Sequence, residues 1–310
     1  MNAKGTIRRK WGWRRQLPYM FMCLPGLLYL LVNNYIPMSG IFIAFKNIDY
    51  SKGIFGSDWV GLDNFSYLFK TDAAFIMTRN TIVYNLVFMI LSMVSGVAVG
   101  IMLSEIRGKV LSRMYQTIIL LPYLLSWVIV AYIGYAFLSN DTGMVNNRLL
   151  ALFGQDPVSW YSKAEAWPFI LVFVSIWKGI GYSAIVYLSS IVGMDKSIYE
   201  AAVVDGAGKI KQIFKITLPL LKPTVIMLTM MSVGRMFYSD FGLFYQLPMN
   251  SGAIYSTTQT IDTYVYRGLM QLNDISMASA AGVYQSIVGF VLVMITNGLV
   301  RKFSAENALF

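Results

Sequence analysis

Histidine is absent from this chain of 310 residues, cysteine occurs once, and charged residues make up only 13% of it. Without histidine there is no ordinary general base, no imidazole metal ligand and no histidine proton relay. A single thiol, Cys23, cannot form an intrachain disulfide or a thiolate metal cluster, and its apolar surroundings mark it as a packing residue. Soluble domains carry about a quarter charged residues, so a mean hydropathy of +0.57 with so few charges places the chain in a membrane. The phosphate-cradling pattern Gly-x-x-x-x-Gly-Lys-Ser/Thr is also missing. DGAGK at 205–209 echoes it but lacks the first glycine and the hydroxyl after the lysine.

What is present is long apolar runs. Crossing about 30 Å of hydrocarbon takes about 20 helical residues, and six segments qualify. Residues 17–45, 80–104, 114–140 and 275–300 carry no charge, 166–194 carry only Lys178, and 223–239 carry only Arg235. The first run is too long for a signal peptide, has no small-residue cleavage site and contains Pro25 and Pro37, so it reads as a retained helix. Gly96 and Gly100 in the second span have a Gly-x-x-x-Gly spacing that permits close helix approach, within the subunit or between copies.

The net charge of +10 would suggest a nucleic-acid surface in a soluble protein. Here the basic residues sit at the ends of apolar runs and act as orientation signals, so no nucleic acid is expected. Alternate connections hold Lys4, Arg8, Arg9, Lys10, Arg14 and Arg15; then Arg107, Lys109 and Arg113; then Lys196, Lys209, Lys211, Lys215 and Lys222; and finally Arg301 and Lys302. These sixteen face seven on the other side: Lys46, Lys52, Lys70, Arg79, Arg148, Lys163 and Arg267. The bias predicts both termini in the cytoplasm. External loops at 46–79, 139–165 and 241–274 are too small to be separate domains, and no repeat is visible, so residues 1–310 form one domain. TGMVNNRLLALFG in the second loop predicts a short surface helix.

The connection between the fourth and fifth spans, about 195–222, contains YEAAVVDGAGKIKQIFKITLPLLKP from Tyr199 to Pro223. Ser197 and Glu200 have the spacing of a capping box, which predicts a short helix starting near Ile198. Ala201 and Ala202 favour helix and keep one face thin, so that it can seat deeply in another protein. Gly206 and Gly208 permit a sharp turn. Ile210, Ile213 and Phe214 line one side of the next segment, lysines the other, and Pro219 and Pro223 suit the first turn of the following span. Any one of these residues also fits an ordinary basic connecting loop. The whole spacing does not: Glu-Ala-Ala, three residues, Gly, nine residues, Ile-x-Leu-Pro.

That pattern resembles the EAA loop of the permease subunits of binding-protein-dependent ABC importers. The flanks YIPMSGIFIAFKN (35–47) and RKFSAENALF (301–310) resemble the carbohydrate-uptake branch, especially permeases for oligosaccharides and polysaccharide fragments. The resemblance implies an all-α membrane fold of the type I importer class, with six transmembrane helices and a cytoplasmic coupling helix. It implies that Glu200, Ala201, Ala202, Asp205 and Gly206, with Leu218 and Pro219 behind them, couple the chain to a separate ATPase. The chain itself is then not an enzyme and holds no cofactor, ATP and Mg²⁺ belonging to the partner. Implied partners are a second, homologous permease, two cytoplasmic ATPase subunits, an extracellular solute-binding protein and an oligosaccharide, in a bacterial inner membrane.

Ionisable groups inside spans are pathway candidates. Lys178 lies beside Trp177 and Tyr182; Arg235 and Asp240 lie with Phe237, Tyr238 and Phe241; Tyr123 and Trp127 belong to the third span. Aromatic faces and charged groups suit saccharide C–H surfaces and hydroxyls. Ion pairs between helices, or simple packing, are the alternative roles. An ion-coupled secondary transporter would carry inverted repeats and buried carboxylates, a membrane transferase an acid/base or metal constellation, and a related importer a non-sugar solute.

Overall fold

A computed structural model describes residues 13–303. Lys4, Arg8, Arg9 and Lys10, and residues 304–310 of the C-terminal flank, lie outside the described residues. The first span begins as α1 (Trp13–Leu30) and continues through a π turn and a 3-10 segment, so that Leu17–Phe45 forms one apolar run. A short antiparallel ribbon follows, β1 (Lys46–Asn47) against β2 (Asp58–Trp59), with Lys46 opposite Trp59. Next come α2 (Asp63–Lys70) and the second span, α3 (Asp72–Ser104). The helix starts eight residues before the charge-free run because Arg79 belongs to its N-terminal turns, donating to the Asn80 side chain and the Ser256 carbonyl.

The third span is not one helix. Chain 114–140 was expected to cross as a rod; α4 (Lys109–Leu124) and α5 (Trp127–Leu138) instead meet at 92°. Pro122 lies one residue inside the C-terminal turn of α4, Leu125 is extended, and Ser126 caps α5 by accepting from the Ile129 N–H. The fourth span is α6 (Trp167–Val192), followed by the short α7 (Lys196–Val204). The fifth runs Lys209–Gly234 rather than 223–239: a helical turn and a π turn lead into α8 (Leu218–Gly234), which ends before Arg235. Then α9 (Ile261–Met270) precedes the sixth span, α10 (Ile275–Phe303). Among the described residues five helices are long and apolar enough to cross a bilayer, six if the bent pair counts as one span. The fold is all-α apart from the ribbon.

Lipid is as apolar as leucine, so helices in it associate by close packing. Gly96 and Gly100 of α3 face α6 within the chain: a Cβ on Gly96 would lie 2.8 Å from the Ser183 Cβ, and one on Gly100 3.1 Å from the Ala184 carbonyl oxygen. On α6, Gly181 lets α4 approach so closely that a Cβ would strike the Ile119 carbonyl. This places α4, α6 and α3 in one tight stack.

The end of the bundle that carries the loop 241–274 is knitted by polar side chains. Asn80 donates to the Gln259 carbonyl, Tyr84 to the Thr257 carbonyl, and the Ile48 N–H to the Ser276 hydroxyl. The hydroxyl-rich loop 241–274 is therefore structural: Thr258, Thr260 and Thr263 are buried and bonded. In the loop 139–165, residues Val145–Leu150 form the expected short helix, pinned by buried Asn146, which donates to the Val158 carbonyl and accepts from the Val158 N–H and the Trp160 indole.

Candidate functional site

Two regions carry the candidate residues, and α8 joins them. The first is the α7 joint. Asp195, not the expected Ser197–Glu200 box, caps α7, its carboxylate accepting the Ser197 N–H at 2.9 Å. That bond, seconded by the Ser197 hydroxyl, holds the Asp195 carboxyl below its ordinary range. The helix therefore begins at Lys196, two residues before the expected start. It ends because Gly206 takes φ +72°, a left-handed conformation that other residues adopt only with strain. Gly208 has φ −67° and makes no such demand.

The joint is rigid for stated reasons. The Ala207 N–H bonds the Ala202 carbonyl at 2.8 Å, and Gln212 donates to the Ala207 carbonyl at 2.7 Å. The Tyr199 hydroxyl meets the Thr217 hydroxyl at 3.0 Å, tying α7 to the turn that opens α8. Lys209 pairs with Glu105 beyond the end of α3 at 2.7 Å. Glu200, Ala201, Asp205 and Gly206 face outward, whereas Ala202, expected on the contact face, is turned inward and buried. Leu218 and Pro219 open α8, with Pro219 in its first turn. Pro223, expected in that first turn, instead lies inside α8. Ile198, Val203, Val204, Ile210 and Phe214 form an exposed apolar surface around the joint, Val204 reaching 87% exposure. Of these, Ile198, Val203 and Val204 had no distinguishing signal beyond being apolar in a short polar connection.

The second region is a cavity of about 800 Å³ between α3, α6, α8 and the chain after α8. Among the expected residues Arg235, Tyr238 and Asp240 line it, together with Phe241, Tyr182 and Asn85. Residues 235–240 form no helix, and unpaired backbone at membrane depth is tolerated only where it lines a cavity or is bonded by protein. Both conditions are met. Asn85 donates to the Met236 carbonyl, Gln285 to the Phe237 carbonyl at 2.6 Å, and Asp262 accepts the Ser239 N–H and hydroxyl, each at 2.6 Å. Gln285 also donates to Asp262. Asp262 is a site residue that sequence reasoning missed; it sits at the start of α9, 23 residues beyond the serine it holds.

Four expected pathway residues do other work. Phe237 is 2% exposed and packs with Leu68, Met77 and Ile261. Trp177 packs on the core around Trp167 and Leu171. Lys178 is buried, and its ammonium donates to the carbonyls of Pro122, Tyr123 and Leu125 at 3.3, 2.8 and 2.7 Å. It thereby caps the broken end of α4, where a helix leaves carbonyls unpaired and favours a cation. Trp127 packs against Gly242, lies under Lys178 with 5.1 Å from ammonium to ring centroid, and donates its indole N–H to Asp240 at 3.0 Å. Tyr123 stacks on Tyr182, a lining residue, at 5.0 Å.

Residues 92–305 match the family described as the binding-protein-dependent transport system inner membrane component. The chain is 34% identical over 293 residues to the polygalacturonan/rhamnogalacturonan transport system permease protein YteP of Bacillus subtilis, covering 94% of this chain and 90% of that one. It is 33% identical to Protein LplB of the same organism over 286 residues, covering 92% and 89%. Its fold is similar to a chain of a bacterial ABC transporter involved in the import of the acidic polysaccharide alginate, with a TM-score of 0.85, 31% identity and coverage of 94% and 97%. The same is true, at a TM-score of 0.84 and 31% identity, of a chain in an alginate transporter complexed with a pentasaccharide-bound periplasmic protein, covering 94% and 96%.

Proposed function

The chain belongs to the binding-protein-dependent transport system inner membrane component family, and we propose that it forms half of the translocation pathway of an ATP-driven oligosaccharide importer. The observation that carries this reading is the continuity of α8. At one end this helix is bonded to the α7 joint through Tyr199 and Thr217, and at the other it unwinds into the wall of the cavity. A push on α7 is thus delivered to Arg235, Tyr238 and Asp240.

In this reading α7 seats in a groove of a cytoplasmic ATPase, its apolar rim of Ile198, Val203, Val204, Ile210 and Phe214 covered there. ATP and Mg²⁺ bind that partner, not this chain. Two ATPase subunits serve this permease and a second, homologous one. Within the first span's most apolar window only 6% is buried by the rest of the chain; it packs on the second permease and on lipid. An extracellular binding protein delivers saccharide at the α9 end. The distribution of lysine and arginine supports an orientation with both termini in the cytoplasm, and the family supports a bacterial inner membrane. ATP binding closes the ATPase pair and moves both coupling helices, and the cavity changes from inward- to outward-facing. Hydrolysis resets it. The saccharide names of the relatives support sugar as cargo.

The test is a Val204→Cys variant in a Cys23→Ser background, treated with a short cross-linker in the assembled transporter. The expected adduct contains the ATPase, and uptake of labelled oligosaccharide stops when it forms. Absence of an ATPase adduct, with uptake that follows the proton gradient instead of ATP, would refute the reading.

A further inference from the structure

We propose that Glu105 and Lys209 are positioning residues for energy coupling. Their ion pair pins the base of α8 to the end of α3, so that a push on the α7 joint swings the far end of α8 instead of sliding the helix along the cavity wall. This rests on the proposed import function and adds the pivot that such a lever requires.

Each of the two charges sits at the wrong pole of its own helix. Glu105 is the C-cap of α3, whose last turn holds no basic residue. Lys209 is the first residue of the helical run Lys209–Gly234 that contains α8. A helix favours a cation at its C-terminus and an anion at its N-terminus, so each residue taken singly is unfavourable where it stands. Brought together, with the Lys209 ammonium 2.7 Å from a Glu105 carboxylate oxygen, each charge offsets the other. Helix electrostatics alone would exchange the two residue types; the contact between them is what this placement serves. The other ion pair among the described residues, Lys52–Asp58, closes a turn of six residues, whereas Lys209–Glu105 joins separate spans.

Those spans form facing walls of the cavity. Ser92 and Met93 of α3 line it from one side, Thr229 and Ser232 of α8 from another. At about 1.5 Å per residue, Met93 lies roughly 18 Å along α3 from Glu105, and Ser232 roughly 35 Å along the second run from Lys209. Gly96 and Gly100 lock α3 to α6, so the pair fastens α8 to both. Among the described residues, the side-chain hydrogen bonds of α8 to these two helices are slight. The Thr224 hydroxyl meets Ser190 at 3.1 Å, and the Thr229 hydroxyl lies 3.8 Å from the Met93 sulfur. Such contacts let a helix slide, and the ion pair fixes one point of it. A single ammonium–oxygen contact also permits rotation about itself, which the planar fork of an arginine would resist. The side chains of Lys209 and Glu105 are 64% and 44% exposed, so the pair adds little to stability and its loss leaves the fold intact.

The experiment uses the complete transporter in liposomes with its binding protein, and fragments of polygalacturonan, rhamnogalacturonan and alginate as cargo. Sugar moved per ATP hydrolysed is measured beside the melting temperature of the purified assembly, for Glu105→Lys, Lys209→Glu and the double exchange. Spin labels at Met231→Cys and Phe173→Cys, in an assembly otherwise free of cysteine, report the distance between α8 and α6 without and with ATP; this arm needs no identified cargo. Each single reversal should lower the sugar moved per ATP about two- to fivefold, the range a half-exposed pair supports, and shrink the ATP-dependent change in distance. The double exchange should recover both. A role confined to helix stability gives another pattern, since each single reversal moves a charge to the pole its helix favours and would raise the melting temperature with coupling intact. Single variants that couple like wild type overturn the inference and leave the import reading standing. So does a double exchange that couples no better than the single reversals, as expected if Lys209 contacts the ATPase directly. No ATP-dependent uptake of these sugars and no ATP-dependent change in distance in the wild type would contradict the import reading, and the inference with it.

Discussion

Replacing Lys178 by methionine separates a cap from a cargo contact. Methionine keeps the length and the apolar stem but removes the ammonium that donates to three carbonyls at the break between α4 and α5. The Pro122 carbonyl retains the Leu125 N–H at 3.2 Å; the Tyr123 and Leu125 carbonyls lose their charged donor. A buried carbonyl left unsatisfied costs about 1–3 kcal/mol, and a cation at a helix C-terminus contributes up to about 2 kcal/mol. Relief from burying the ammonium offsets part of this. The net expected loss is about 2–4 kcal/mol, read as a clear drop in the melting temperature of the purified assembly. Because the lysine holds the break and not the sugar, uptake should fall through its maximal rate, with the half-saturating sugar concentration unchanged. Wild-type melting combined with a raised half-saturating concentration would refute the reasoning and return Lys178 to the pathway.

Other consequences follow from the same geometry. Gly181→Ala should drive α4 and α6 apart, since its methyl strikes backbone at Ile119, and overpacking of this kind costs about 1–3 kcal/mol; reduced yield of folded complex would report it. Asp262→Ala removes the acceptor of the Ser239 N–H and hydroxyl and a partner of Gln285. It should cut maximal uptake severalfold, and Asp262→Glu should recover more than Asp262→Asn, whose amide cannot accept from all three donors. Asp195→Ala should weaken the start of α7 by about 1 kcal/mol, lowering the uptake obtained per ATP hydrolysed, with normal insertion in the membrane.

Five spans, six with the bent pair, were legible because runs of sufficient length with little or no charge report spans directly, and the glycine pair in the second span pointed correctly to close packing. The 92° break was not, since summing hydropathy across Pro122–Ser126 erases a bend that adds no charge. The fifth span was misplaced for the converse reason: Lys209, Lys211 and Lys215 belong to its helical lead-in but cannot count toward an apolar run. The position of the α7 joint was clear from its spacing, yet Asp195 and Ser197 were both plausible caps, and only the backbone shows that Lys196 is already helical. Lys178 and Phe237 looked alike as polar or aromatic residues near a pathway. Their partners lie more than fifty residues away in the first case and on four other helices in the second, and no local pattern encodes that.

The joint at Gly206 is where the account is most exposed. Its φ of +72° and outward position mean that Gly206→Glu both strains the turn and places a charge on the surface proposed to dock the ATPase. ATP-driven uptake by the reconstituted transporter, measured beside ATP hydrolysis and membrane content of the subunit, is the direct measurement. The account predicts normal membrane content, continued hydrolysis and uptake reduced to background. Uptake at the wild-type rate by Gly206→Glu, at equal expression, would contradict it.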